Sequence, residues 1–120
     1  MRKLNIAYLN ANGKLRQESI DSLLFYCKTV DLIFITETWL PPNTPLHTNW
    51  KHHHIYGEPV PNSPRHQQGI SLFIHPDLKT TNLFIDTHSS KYFLICHIDG
   101  FKIYCFYLPP FPSLDDTAAI

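Results

Sequence analysis

An α/β domain, a mixed sheet with one main crossover helix, is the fold class this sequence predicts, and three features predict it. Residues 4–10 and 31–36 are apolar runs of strand length, each followed by polar oxygens at its C-terminal end. Between them Ile20, Leu23, Leu24 and Cys27 recur at the i, i+3, i+4, i+7 spacing of one helix face. Further on, short apolar runs are separated by turn residues, among them Asp99-Gly100, the strongest short-range hairpin signal.

Each element follows from local chemistry. The first strand takes residues 4–10 and ends in Asn10-Ala11-Asn12-Gly13. Residues 14–28 are the crossover helix. The returning strand, 31–36, carries Leu32, Ile33, Phe34 and Ile35 without alternation, as expected when both faces are covered. A β-α-β unit of this kind is parallel and right-handed. From 41 to 68 the composition turns to Pro, His, Asn and Ser, which reads as a long Pro/His-rich surface loop, with a short strand at 54–56 at most. Strands then follow at 69–75, ended by Pro76, at 79–86, at 91–98 and at 101–108.

With Asp99 and Gly100 as the two loop residues, Leu94 faces Cys105, Cys96 faces Ile103 and His97 faces Lys102. One side of the hairpin then carries Tyr92, Leu94, Cys96, Ile98, Phe101, Ile103, Cys105 and Tyr107, and the other Phe93, Ile95, Tyr104, Phe106 and Leu108. Both sides are apolar, so a layer is expected on each. Cys96 and Cys105 become diagonal neighbours about 7 Å apart, too far for an unstrained disulfide.

Composition narrows the function classes. The 120 residues, 43% hydrophobic, make one domain with a real core. A formal net charge of zero provides no global field toward nucleic acid, so any such binding rests on a local patch. No apolar run reaches the roughly 18 residues of a membrane span, and the basic start lacks a following small-residue cleavage site. An intracellular protein without a membrane partner is expected. Three cysteines without Cys-x-x-Cys spacing read as reduced core thiols.

Four motifs occur in a telling order: Asn10-Ala11-Asn12-Gly13, Thr36-Glu37-Thr38, Gly69-Ile70-Ser71-Leu72-Phe73-Ile74, and Tyr107-Leu108-Pro109-Pro110. Together they resemble the endonuclease/exonuclease/phosphatase superfamily, most closely the apurinic-type endonuclease domains of non-LTR retrotransposons. The resemblance runs from residue 4 to residue 110. It implies the first half of a four-layer α/β sandwich, Mg²⁺ or Mn²⁺ as cofactor, and a DNA or RNA phosphodiester as substrate. It further implies that Glu37 binds the metal with Asn12 beside it, that Asn10 belongs to the catalytic set, and that Tyr107 contacts the scissile phosphate. Such roles suit the chemistry: a carboxylate holds a hard cation, amides orient neighbouring oxygens, and a phenol donates to a phosphate oxygen.

Gln68 stands where the family commonly has a second Gly, and Pro110 where some members have Asn. The family's Asp-x-Asn, Gly-Asp-Phe-Asn and terminal Asp-His motifs do not occur in these 120 residues. The resemblance therefore implies a domain truncated before its C-terminal catalytic motifs and inactive by itself, with self-association through an exposed sheet face. Asp86-Thr87-His88 is only a superficial substitute for the Asp-His pair. A non-catalytic remnant is one alternative.

Five histidines, His47, His52, His53, His54 and His66, gather between 41 and 68. They suggest a second alternative, a His-rich metal-binding or interaction module, although the segment has no finger-like ligand spacing and reads primarily as solvated loop. Lys51 and Arg65, with Trp50 and Tyr56, are the expected nucleic-acid contacts of the same segment.

Overall fold

The computed structural model describes residues 3–108. The chain runs β1 (Ile6–Asn10), α1 (Gln17–Tyr26), β2 (Leu32–Thr36), β3 (Lys51–Ile55), β4 (Glu58–Pro59), β5 (His66–Gln67), β6 (Ile70–Ile74), β7 (Leu83–Asp86), β8 (Phe93–Ile98) and β9 (Phe101–Phe106). The main sheet has the order β1-β2-β6-β3, a second sheet the order β7-β8-β9, and β4 pairs with β5 alone.

The β-α-β reading holds at its centre. β1 and β2 are parallel, with Ile6 opposite Leu32 and Asn10 opposite Thr36. Entry into the pair is fixed at Asp31, whose Oδ2 accepts the Asn5 N–H at 2.8 Å while its own N–H donates to the Asn5 carbonyl at 2.8 Å. The crossover helix is shorter than its apolar pattern suggested. Ser19 Oγ accepts the Arg16 N–H at 2.8 Å and closes the first turn, so the helix starts at Gln17 rather than Lys14.

β2 is buried at every position, as is β6 beside it. Their side chains alternate between two cores. Leu32, Phe34, Ile70, Leu72 and Ile74 meet Leu94, Cys96, Ile98 and Cys105 of the second sheet. Ile33, Ile35 and Phe73 meet Ile20 and Leu24 of α1 together with Leu40 and Trp50. The order of layers is helix, sheet, sheet. Each fully buried aliphatic side chain in these cores contributes roughly 1.5–3 kcal/mol.

The β8–β9 hairpin has the predicted register, Leu94 opposite Cys105 and His97 opposite Lys102. Asp99 (φ 45°) and Gly100 (φ 88°) both lie in the left-handed region that a type I′ turn requires. Cys96 and Cys105 are buried free thiols.

Three expectations need correction. The described residues form a mostly β fold with one helix, not a four-layer sandwich. Among the described residues the second sheet is covered on one face only, and Phe84, Tyr104 and Phe106 on the other are 63%, 42% and 52% exposed. The 41–68 segment is not a continuous loop. It supplies β3, β4 and β5, and its main strand begins at Lys51 rather than His54. Turn-rich flanks hid a strand whose histidines pack as aromatic rings against β6: His52 lies 5.8 Å and His54 6.0 Å from the Phe73 ring. No helix among the described residues is long and apolar enough to cross a membrane. Pro109 and Pro110 of the fourth motif lie outside the described residues.

Burial of β3 has a consequence for acid stability. Desolvation, then the neighbouring His52 and His53, pull the His54 pKa from 6.5 down to about 4, and desolvation lowers His53 as well. A depressed folded-state pKa stabilises the native state above the unfolded value, and that contribution is lost as pH falls. The unfolding free energy from urea titration should therefore drop between pH 6.5 and pH 4, by roughly 2–3 kcal/mol for His54, and the urea midpoint with it. A midpoint that stays constant across this window would contradict the packing of β3.

Candidate functional site

Parallel pairing of β1 with β2 brings their C-terminal ends side by side, and the chain leaving each end is tied to the other. Ala11 N–H donates to the Thr36 carbonyl at 2.9 Å and Gly13 N–H to the Glu37 carbonyl at 2.8 Å. Asn10 and Glu37 thus belong to one strand-end cluster. Asn10 Oδ1 accepts the Asn12 N–H at 2.9 Å, an Asx turn that lets Asn12 take φ 47°.

From the second sheet comes Tyr107, whose hydroxyl donates to Glu37 Oε1. Its backbone N–H bonds the Tyr92 carbonyl at 2.8 Å, and its ring packs against the inter-sheet core. Burial first, then the hydrogen bond to the Glu37 carboxylate and that group's charge, push the Tyr107 pKa up to about 12. The structure therefore assembles Asn10, Asn12, Glu37 and Tyr107 from three separate parts of the chain. It does not bring Lys51 to them. Lys51 pairs with Ile74, which pairs with Leu32, so it stands at the opposite end of the main sheet from Thr36 and Glu37. Arg65 is exposed on the β4–β5 hairpin, its carbonyl accepting the Val60 N–H at 3.0 Å.

The site backbone is unusual. Asn12, Glu37, Trp39 and Gln68 all have positive φ, at 47°, 55°, 56° and 64°. Each such non-glycine residue costs about 1–2 kcal/mol and persists only where its surroundings hold it. Here the hold is a lattice of main-chain bonds, Trp39 N–H to the Gln68 carbonyl at 2.8 Å and Thr38 N–H to the Gly69 carbonyl at 3.3 Å. Two glycines make it possible. A Cβ on Gly13 would lie 1.9 Å from the Trp39 ring, and one on Gly69 would lie 2.5 Å from Thr38 Oγ1.

Sequence reasoning missed Tyr8. Its hydroxyl bonds the Oγ1 of the fully buried Thr36 at 2.8 Å. Both Tyr8 and Asn10 share the β1 face that looks toward the second sheet, a period-2 relation that was available as a signal. Asp86 has a structural task instead. Its carboxylate accepts the His88 and Ser89 N–H groups at 2.9 and 3.0 Å, and these bonds together with that from the Ser89 hydroxyl lower its pKa.

Glu37 supplies a carboxylate and Asn10 and Asn12 lie at the adjoining strand end. One carboxylate with amide oxygens is donor chemistry that Mg²⁺ accepts, since it keeps several waters and takes only one or two carboxylates. Among the described residues no three His, Cys, Asp or Glu side chains cluster to hold a metal through protein ligands alone.

Phenolate absorbance should show one tyrosine titrating near pH 12, absent in Tyr107→Phe and moved toward its ordinary value in Glu37→Gln. A titration insensitive to Glu37→Gln would mean that the inter-sheet hydrogen bond is not formed. Compared with known proteins, the chain matches no family model and no curated sequence.

Proposed function

We propose that this chain carries the metal-binding part of a Mg²⁺-dependent phosphodiester hydrolase, an endonuclease-like domain of retroelement origin. The observation that carries the reading is the convergence of Glu37, Asn10 and Tyr107 at one strand-end cluster, with Tyr107 arriving from the other sheet. The same residues carry the motif resemblance.

In this reading Glu37 Oε atoms hold the cation, and Asn10 and Asn12 present amide oxygens that orient its waters or the phosphate. Mg²⁺, when bound, offsets negative charge on the phosphate. The hydroxyl of Tyr107 hydrogen-bonds Glu37 in the free protein and stands ready to donate to a nonbridging phosphate oxygen. Its raised pKa keeps that proton in place at neutral pH. Arg65, exposed on the β4–β5 hairpin, offers a contact to the DNA or RNA backbone, whereas Lys51 stands at the end of the main sheet away from Glu37. The contribution assigned to these residues is metal and phosphate binding.

Mn²⁺ relaxation of water protons tests this directly. Millimolar-range binding that is lost in Glu37→Gln and retained in Asp86→Asn is expected, and equal binding in Glu37→Gln would overturn the assignment.

The exposed aromatic face of β7–β9 is proposed as a self-association surface, since Tyr104 and Phe106 stack at 5.6 Å and 7° with no layer above them among the described residues. Light scattering should show mass rising with concentration and falling back in Phe84→Lys with Phe106→Lys. A constant monomer mass in the parent chain would remove this proposal.

A further inference from the structure

We propose that His52 and His54 form a chelating pair for a borderline transition-metal ion, Zn²⁺ or Cu²⁺, on the outermost strand of the main sheet. The two residues are i and i+2 on β3, so their rings project from the same face. His53 between them projects from the other, opposite Leu72 of the inter-sheet core. Strand β3 is the edge of its sheet, and all three histidines are only half-buried, which leaves the pair open to solvent.

The distances suit a shared ion. His52 Nδ1 and His54 Nε2 lie 2.9 Å apart. Two nitrogens on one tetrahedral Zn²⁺ with bonds of about 2.0–2.1 Å are separated by about 3.3 Å, and cis nitrogens on square-planar Cu²⁺ by about 2.8 Å. The rings now meet at 57° through a hydrogen bond along the N···N line, so chelation requires both to rotate until their lone pairs converge off that line.

The surroundings hold the second ligand nitrogen in readiness. His54 Nδ1 bonds Ser71 Oγ at 2.6 Å, and Ser71 is fully buried. In the tautomer that donates Nδ1–H to that oxygen, the free lone pair of His54 is on Nε2, the nitrogen that faces His52. This is the supporting contact that metal-bound histidines characteristically make. Tyr56 stacks on the His54 ring at 5.4 Å, and Phe73 lies against both imidazoles. On binding, the proton between the rings transfers through solvent to His52 Nε2. Both imidazoles stay neutral, each nitrogen ligand donates one lone pair, and water completes the coordination sphere.

The site is distinct from the Glu37 cluster in both ligand type and position, and it does not depend on the nuclease reading. Calorimetric titration of the chain with ZnCl₂ and CuCl₂ should show one equivalent bound, weakened about tenfold or more in His52→Ala. His53→Ala and Glu37→Gln should leave the affinity unchanged. Because His54 supports the fold, His52→Ala is the decisive variant, and its thermal midpoint without metal checks that it is folded. Electron paramagnetic resonance of the Cu²⁺ form should show coupling to two imidazole nitrogens, reduced to one in His52→Ala. Unaltered affinity in His52→Ala, or binding lost equally in His53→Ala, would overturn the proposal.

Discussion

Strand β2 is the constraint on which the other parts depend. Paired on both sides and buried on both faces, it can shift neither in register nor in depth without exposing five side chains to water at once. A slip of one residue would exchange Leu32 and Phe34 with Ile33 and Ile35, mismatching two cores of different shape. The position of its last residue is thereby set by packing many ångströms away. Glu37 follows directly, and its polar side chain takes its place from a wholly apolar strand.

That rigidity allows the strand end to hold conformations that an isolated chain would leave. Positive φ at Asn12, Glu37, Trp39 and Gln68 would together cost several kcal/mol in a free loop. The bonds that maintain them run between β1, β2 and the approach to β6, so the strained residues are held by elements that are themselves anchored in the core. The Tyr107 hydroxyl adds a tie from the second sheet, and Glu37 becomes a point where both sheets meet. A carboxylate fixed in this way loses little conformational entropy on taking up a ligand, which is the physical sense of preorganisation.

How much of this was legible in the sequence depends on how local the signal is. The β8–β9 register could be read pair by pair, because Asp99-Gly100 fixes a two-residue turn and everything else follows by counting. The β1–β2 unit was legible from its period and its uninterrupted apolar run. Glu37, Asn10 and Tyr107 were legible as an ordered set, whereas Tyr8 was not, since a tyrosine at a strand position usually reports packing rather than a polar contact. β3 was misread as loop because Lys51 to His54 lack the aliphatic content that marks a strand. Their pairing with β6, and ring packing on Phe73, decide the matter from outside the segment. The second sheet's outer face, without a covering layer among the described residues, was the opposite failure. An apolar pattern reports what a surface would favour, and a covering layer is a separate fact about the fold.

The two proposed cation sites differ in a way that follows from the same sheet. At the β1–β2 end, oxygen donors from one carboxylate and two amides suit a hard ion that retains its water. On β3 the donors are imidazole nitrogens, which prefer a borderline ion and gain little from Mg²⁺. Competition between them is therefore weak: a hard ion lacks the affinity to displace the hydrogen bond between His52 and His54, and one carboxylate is a poor claim on Zn²⁺ when a bidentate nitrogen pair is present. Pleat and pairing arrange this segregation. Side chains that alternate along β3 put the two imidazoles on the helix-side face, while Asn10 looks from β1 toward the second sheet. Opposite faces and opposite edges of one four-stranded sheet keep the two chemistries apart without any further structure.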